Sequence, residues 1–132
     1  MTLKRTAEDY VKTVFILSRK GDVRCHQLAT CLSVSRPTVS VTVKALCEAD
    51  LLYMDDKRAL HLTDKGLELA QIVEERHQVL CDLLIGLGVS ADIASNDACR
   101  MEHAISDESF RALKSQRGLA GAGGADDGQG LA

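Results

Sequence analysis

A mainly α fold, in which an N-terminal winged helix-turn-helix with a small β-hairpin wing is followed by an all-helical domain, is what this 132-residue sequence predicts. Three observations carry that prediction. Two short helical segments are joined by the tight connection Ser33-Val34-Ser35, two short apolar runs then flank a charged turn, and a long stretch follows with apolar residues spaced three and four apart.

Thr6, followed three residues later by Asp9, resembles a capping box, and Tyr10, Val14 and Leu17 recur at helical spacing, so a first helix is expected to end near Lys20-Gly21-Asp22. A second helix covers about Cys25 to Cys31, with Leu28, Ala29 and Leu32 apolar. Ser35 caps a third. Pro37 lies in its first turn, where a missing N–H costs little, and Val39, Val43 and Leu46 supply its buried stripe. Leu51 to Met54 and Ala59 to Leu62 pair around Asp55-Asp56-Lys57-Arg58, and a hairpin directly after a helix-turn-helix reads as a wing. Thr63-Asp64 caps a long helix to about Leu84, whose Ala70, Val73, His77, Leu80 and Leu84 form a seam suited to helix pairing. Beyond Gly86 and Gly88, Ser90 starts a helix carrying Cys99 to His103, and Ser106-Asp107-Glu108 opens a last one through about Gln116. The expected organisation is a winged-helix domain over 1–62, a helical domain over 63–116 and a tail over 117–132. That tail, RGLAGAGGADDGQGLA, holds six of the ten glycines, has almost nothing to bury and is predicted to be disordered.

Composition narrows the function classes. No apolar run reaches the roughly 18 residues of a membrane span, and MTLKRTAEDY has no apolar region of the secretory type, so a cytoplasmic protein is expected. Cys25, Cys31, Cys47, Cys81 and Cys99 are odd in number and scattered, without a CxxC pair, which predicts reduced thiols, most of them small core residues. The formal charge of -3 hides an asymmetry. Residues 1–62 hold ten Lys and Arg against seven Asp and Glu, whereas residues 63–132 hold six against twelve. A basic front and an acidic back fit a nucleic-acid module joined to a cation-binding one.

In a winged helix the third helix enters the major groove with its N-terminal residues nearest the base edges, and the wing meets the backbone. The residues at those positions are Ser35, Arg36, Pro37, Thr38, Ser40 and Thr42. Short hydroxyls approach bases and phosphates closely, and Arg36 suits either phosphate or guanine. Lys44 and the wing pair Lys57 and Arg58 add phosphate attraction that salt weakens. The plain alternative is that Ser35 only caps and the rest form a solvated helix face.

Cys99, Glu102 and His103 stand at i, i+3 and i+4, so all three are expected on one helix face. Thiolate, carboxylate and imidazole together hold a first-row divalent metal, which offsets their negative charge. One helix face rarely fills a coordination shell. Asp9 and His77 are the best candidates for the remainder, against the alternatives that Asp9 completes the capping box and His77 is a core histidine.

With these residues in view, AEDYVKTVFIL (7–17), VSRPTVSVTVKAL (34–46), LHLTDKGLELA (60–70) and above all NDACRMEHAISDESF (96–110) resemble the diphtheria toxin repressor and manganese transport regulator family. The resemblance spans about residues 5–115 and is to the short form without an SH3-like domain. It implies a winged helix followed by a helical metal-binding and dimerisation domain, and a homodimer that binds palindromic double-stranded DNA once Fe(II) or Mn(II) is bound. Regulation of metal uptake is the implied role. Asp9, Cys99, Glu102 and His103 match the family's ligand positions, and His77 matches a ligand of a neighbouring site. Cys99 replaces the carboxylate of manganese-type members and favours iron, while Asp9 replaces the methionine of iron-type members and is manganese-like. Lys12 stands where two-metal members carry a glutamate, and Cys81 and Ser95 replace a carboxylate and a histidine of the iron-type ancillary site.

Two rivals remain from the residues alone. A small metalloenzyme would use the same cluster, but no HExxH or paired PCxxC motif is present, and neither catalysis nor a small-molecule substrate is expected. A metal-independent winged-helix regulator sensing thiol oxidation through Cys99 or Cys81 is the other.

Overall fold

The first helix, α1 (Leu3–Leu17), starts upstream of Thr6 and continues into a 3-10 turn at Ser18–Lys20. Thr6 therefore lies inside the helix rather than at its cap, so the expected Thr6/Asp9 capping box does not mark the helix start. The computed structural model describes residues 3–123.

Helix α2 (Cys25–Leu32) begins where the Gln27 side chain accepts the Arg24 backbone N–H at 2.6 Å. It ends at Ser33 in the left-handed conformation, φ 56°, which turns the chain toward α3 (Arg36–Glu48). Ser35 caps α3 as its sequence predicts, its hydroxyl accepting the Thr38 N–H at 3.2 Å, with Pro37 in the first turn. At the other end Asp50 takes φ 63° and Leu51 N–H donates to the Leu46 carbonyl at 3.0 Å, the return bond of a Schellman-type stop.

Strands β1 (Leu52–Met54) and β2 (Leu60–Leu62) pair antiparallel in the register Leu52 with Leu62, Tyr53 with His61 and Met54 with Leu60. A bridge from Val23 to Leu60 adds the segment before α2 to this hairpin. The loop is closed by one carboxylate. Asp55 Oδ1 accepts the N–H groups of Lys57 and Ala59, both at 2.9 Å, while Oδ2 lies 2.8 Å from His61 Nε2. Tyr53 stacks on that imidazole at 4.9 Å, and Arg58 takes φ 67° at the tip.

α4 (Asp64–Gly86) is capped by Thr63, whose hydroxyl accepts the Gly66 N–H at 3.0 Å and donates to the Asp50 carbonyl at 2.6 Å. Gly66 is required here, because a Cβ would stand 2.0 Å from the Leu51 carbonyl oxygen. α5 (Ala91–Met101) and α6 (Asp107–Gly123) complete the described chain. Ser106 caps α6 by accepting the Ser109 N–H at 3.1 Å.

The chain divides into two compact units, Met1–Val73 and Glu74–Ala132, with the division within α4. The reason is packing: Gly66 abuts Leu51, and Ala70 joins the core built by Tyr10, Val11, Val14, Leu28, Val39, Val43 and Leu46. Each buried Val or Leu there contributes about 1.5–3 kcal/mol. In the second unit Val79, Leu80, Ala94, Ala98 and Phe110 are buried. α6 also runs past Arg117 to Gly123, into the stretch expected to be a disordered tail. Extending an existing helix avoids the cost of nucleation. Residues 124–132 of the expected tail lie outside the described residues.

None of the five cysteines forms a disulfide. Fewer are core residues than expected: Cys25 and Cys47 are half-buried against the apolar cluster, Cys81 is half-buried, and Cys31 and Cys99 are exposed. No helix among the described residues is long and apolar enough to cross a membrane.

Candidate metal centre and nucleic-acid interface

Three donor atoms converge within the second unit. One ligand atom each from His77, Cys99 and Glu102 lie within 4.8 Å of one another. His77 comes from α4 and Cys99 from the last turn of α5, and Glu102 is the C-cap of α5, its N–H still bonded to the Ala98 carbonyl at 2.9 Å. Cys99, Glu102 and His103 were expected on one helix face. The helix instead stops at Met101, with Glu102 closing it and His103 in the turn beyond, where the chain bends to reach Ser106. That bend gives Glu102 a histidine on each side: His77 Nδ1 is 3.0 Å from Oε1 and His103 Nε2 is 3.3 Å from Oε2. His77, expected at a neighbouring site, thus sits with Cys99 and Glu102.

The Glu102 side chain is 1% exposed, and those of His77 and His103 are 18% and 4% exposed. A buried carboxylate needs positive charge or several donors. Donors around one first-row ion stand roughly 3–4 Å apart, given bonds of about 2.0–2.3 Å, so the spacing in this mixed N, S and O set is closed by a small contraction. The residues fit a divalent transition metal.

Arg76, which the sequence reading missed, holds the turn that carries these donors. It is buried; its Nη1 donates to the carbonyls of Glu102 and Ile105, each at 3.3 Å, its Nη2 pairs with Asp107, and its guanidinium lies over the Phe110 ring at 5.7 Å. An arginine beside a helical histidine looks like an ordinary solvated charge in sequence. Only its position on the buried stripe with Val73 and Leu80, three and four residues away, could have marked it. Asp9 belongs to the first unit, half-buried on α1, its backbone carbonyl accepting the Thr13 hydroxyl at 2.7 Å.

The residues expected at a nucleic-acid face lie in the first unit. Ser35, Arg36, Pro37, Thr38, Ser40 and Lys44 on α3 are exposed, as are Lys57 and Arg58 at the wing tip. Thr42 is half-buried, because at 3.6 residues per turn it lies toward the flank shared with Val39 and Leu46. The centre of the outward face is instead Val41, 71% exposed, which a search for polar residues passes over. Elsewhere in this unit, burial, with Cys25 and Glu48 nearby, pushes the Cys47 thiol up from its ordinary value and keeps it protonated.

A three-helix winged fold with an exposed third helix, together with a histidine, thiolate and carboxylate cluster, defines a metal-responsive DNA-binding regulator. The sequence profile for the iron dependent repressor N-terminal DNA binding domain matches residues 2–60, and that for the iron dependent repressor metal binding and dimerisation domain matches residues 63–118. The transcriptional regulator MntR of Escherichia coli is 41% identical over 108 residues, covering 81% of this chain and 70% of the relative. The diphtheria toxin repressor of Corynebacterium glutamicum is 34% identical over 110 residues, covering 82% of this chain and 48% of the relative. A solved manganese-dependent transcriptional repressor in complex with manganese superposes with TM-score 0.78 at 30% identity, over 86% of this chain and 53% of that one, so this chain spans about half its length. The chain belongs to the iron-dependent repressor family.

Proposed function

We propose that the chain is a transcriptional repressor of metal-ion homeostasis whose binding to DNA is controlled by Fe(II) or Mn(II). The observation that carries this reading is the convergence of His77, Cys99 and Glu102 in a protein whose other unit is a winged helix. His77, Cys99, Glu102 and His103 would hold the ion, whose positive charge would suit a buried carboxylate and a thiolate. Cys99 adds soft character that favours Fe(II) over Mn(II) relative to an all-oxygen set. Asp9 is a further ligand in this proposal, on the strength of the family resemblance.

Residues 63–116 serve metal binding and dimerisation. Ile85, Leu87 and Ile93 are 45%, 81% and 56% exposed, an apolar surface suited to a second copy of the chain. A two-fold homodimer presents two copies of α3 to a palindromic operator with half-sites about one helical turn apart. On each, Ser35, Arg36, Pro37, Thr38 and Ser40 approach base edges and backbone, Thr42 supports them from the flank, and Lys44, Lys57 and Arg58 attract phosphate. Such a protein acts where the DNA is, in the cytoplasm, and catalyses no reaction.

An anaerobic DNA-binding titration with Fe(II), Mn(II) and Zn(II), each with a chelator control, tests the proposal. Binding that rises with Fe(II) or Mn(II) and is reversed by chelator is the expected result. Binding indifferent to chelator but lost on thiol oxidation overturns it, as does hydrolytic turnover without DNA affinity.

A further inference from the structure

We propose that Arg24, Arg36 and Arg58, with His26 beside them, form a site for a single backbone phosphate of DNA, which joins the wing to the third helix. The proposal rests on reading the first unit as DNA-binding and adds to it one specific anchor. The three arginines come from separate parts of the chain: the residue before α2, the first residue of α3 and the tip of the wing. They line one cleft with His26 and Ser40, and among the described residues no carboxylate lines it.

Three guanidinium groups that line one cleft repel one another, and an anion between them offsets that cost. Arginine suits phosphate in particular, because its planar N–H fork meets two oxygens at once. Arg24 is fixed in place by donating from Nη1 to the Lys57 carbonyl at 2.5 Å, which ties the start of α2 to the wing. That contact takes one of the five donors a guanidinium carries. Ser40 adds a hydroxyl from the exposed side of α3.

The position of the cleft selects a DNA strand as the source of the phosphate. When α3 lies in a major groove and the wing beside it, the backbone bounding that groove runs between the two elements. Arg36 is thereby assigned to the backbone rather than to a guanine, although either suits the side chain alone. Arg24 and His26, which look like unremarkable surface residues in sequence, become part of the interface.

The test begins by selecting a duplex from a random library with the metal-loaded full chain. Each phosphate of that duplex is then replaced in turn by a neutral methylphosphonate, and binding is measured for the native chain and for Arg24→Gln, Arg36→Gln and Arg58→Gln. The expected result is one position in each half-site where the replacement weakens native binding about ten-fold but leaves binding by Arg36→Gln and Arg58→Gln nearly unchanged, with a salt slope shallower by about one ion per site. Arg24 also braces the wing, so Arg36→Gln and Arg58→Gln decide the matter if Arg24→Gln misfolds. Equal sensitivity of native and variant chains at every position overturns the proposal. So does Arg36→Gln relaxing the preference at one base pair without changing the salt slope, or inorganic phosphate filling the cleft while duplex binding by the variants stays native. A selection that enriches no duplex with any metal overturns the DNA-binding reading itself and this anchor with it.

Discussion

The two units hold themselves together by different means. The first is organised by an apolar cluster that runs from Ala7 to Ala70 and draws on α1, α2, α3, both strands and the start of α4. Its basic residues Arg36, Lys44, Lys57 and Arg58 face outward. Among its described residues the second buries Val79, Leu80, Ala94, Ala98 and Phe110, two of them only alanines, and leaves Ile85, Leu87 and Ile93 partly or largely in solvent. What orders its far end is polar: Arg76 clamps the turn after α5, and Glu102 sits between two imidazoles. The difference teaches that the first unit is ordered mainly by apolar packing, while the turn that carries the second unit's donor atoms is ordered by polar contacts. A ligand held at 100 times its Kd adds about 2.7 kcal/mol of stability to the unit that binds it.

The strongest way to break this comparison is Glu102→Ala. Removing the central donor is expected to weaken metal binding by about 100-fold or more, since losing even outer partners of a metal ligand costs 10–100-fold. Calorimetric titration measures the affinity, and thermal unfolding with and without metal measures the coupling. In the native chain metal should raise the unfolding transition; in the variant it should not. A metal-dependent shift that survives Glu102→Ala would show that the cluster is not the sensor.

Arg76→Met separates the clamp from the metal. It leaves the Glu102 and Ile105 carbonyls and Asp107 without their shared donor, which is expected to cost the second unit about 2–3 kcal/mol even without metal. Native-state hydrogen exchange should show faster opening of α5 and the start of α6, with the core of the first unit unchanged. Equal loss in both units would mean that they do not hold themselves together separately.

The same contrast governs what could be read from sequence. In the first unit each element announces itself locally: Ser35 and Pro37 at a helix start, the charged turn Asp55 to Arg58 between apolar pairs, Thr63 at the next cap. All of these stand where sequence reading puts them. Thr6 misled, because a Thr and an Asp three apart satisfy the cap pattern whether or not the helix has already begun. The extent of α4 in the first unit depends on the fit of Gly66 against Leu51, a long-range contact that periodicity does not encode. In the second unit the Cys99, Glu102 and His103 spacing was visible, but the end of α5 at Met101 was not. That stop changes which atoms meet, bringing His77 of another helix to one carboxylate oxygen and sending His103 to the other. The dependence on Arg76 was hidden for the same reason, since its partners are backbone carbonyls 26 and 29 residues away.

Cys99→Asp sharpens the chemistry of the site without removing it. Exchanging the soft donor for a hard one should move relative affinity from Fe(II) toward Mn(II) by about ten-fold, read by competition titration under anaerobic conditions. Unchanged selectivity would place Cys99 outside the coordination shell.

The smallest expected effect lies in the wing, where a charge does structural work in the otherwise apolar-built unit. Hydrogen bonding from His61, then from the Ala59 and Lys57 amides, holds the Asp55 carboxyl well below its ordinary value, at about 2. Its folded-state value is depressed, so the carboxylate favours the closed loop at neutral pH. Between about pH 4 and pH 2 an opened loop takes up a proton more readily than the closed one, and that preference fades; below about pH 2 it is gone. Acidification through this window should therefore collapse the protection of the Lys57 and Ala59 amides in exchange-detected NMR while α3 stays protected. Asp55→Asn keeps an acceptor for both amides but loses the anion beside His61, so its loop should already be weaker at pH 7 and should change little between pH 4 and 2. If the native loop stayed equally protected across that range, the Asp55 carboxylate would not be what shapes the wing, and the placement of Lys57 and Arg58 would have to come from the strand pairing alone.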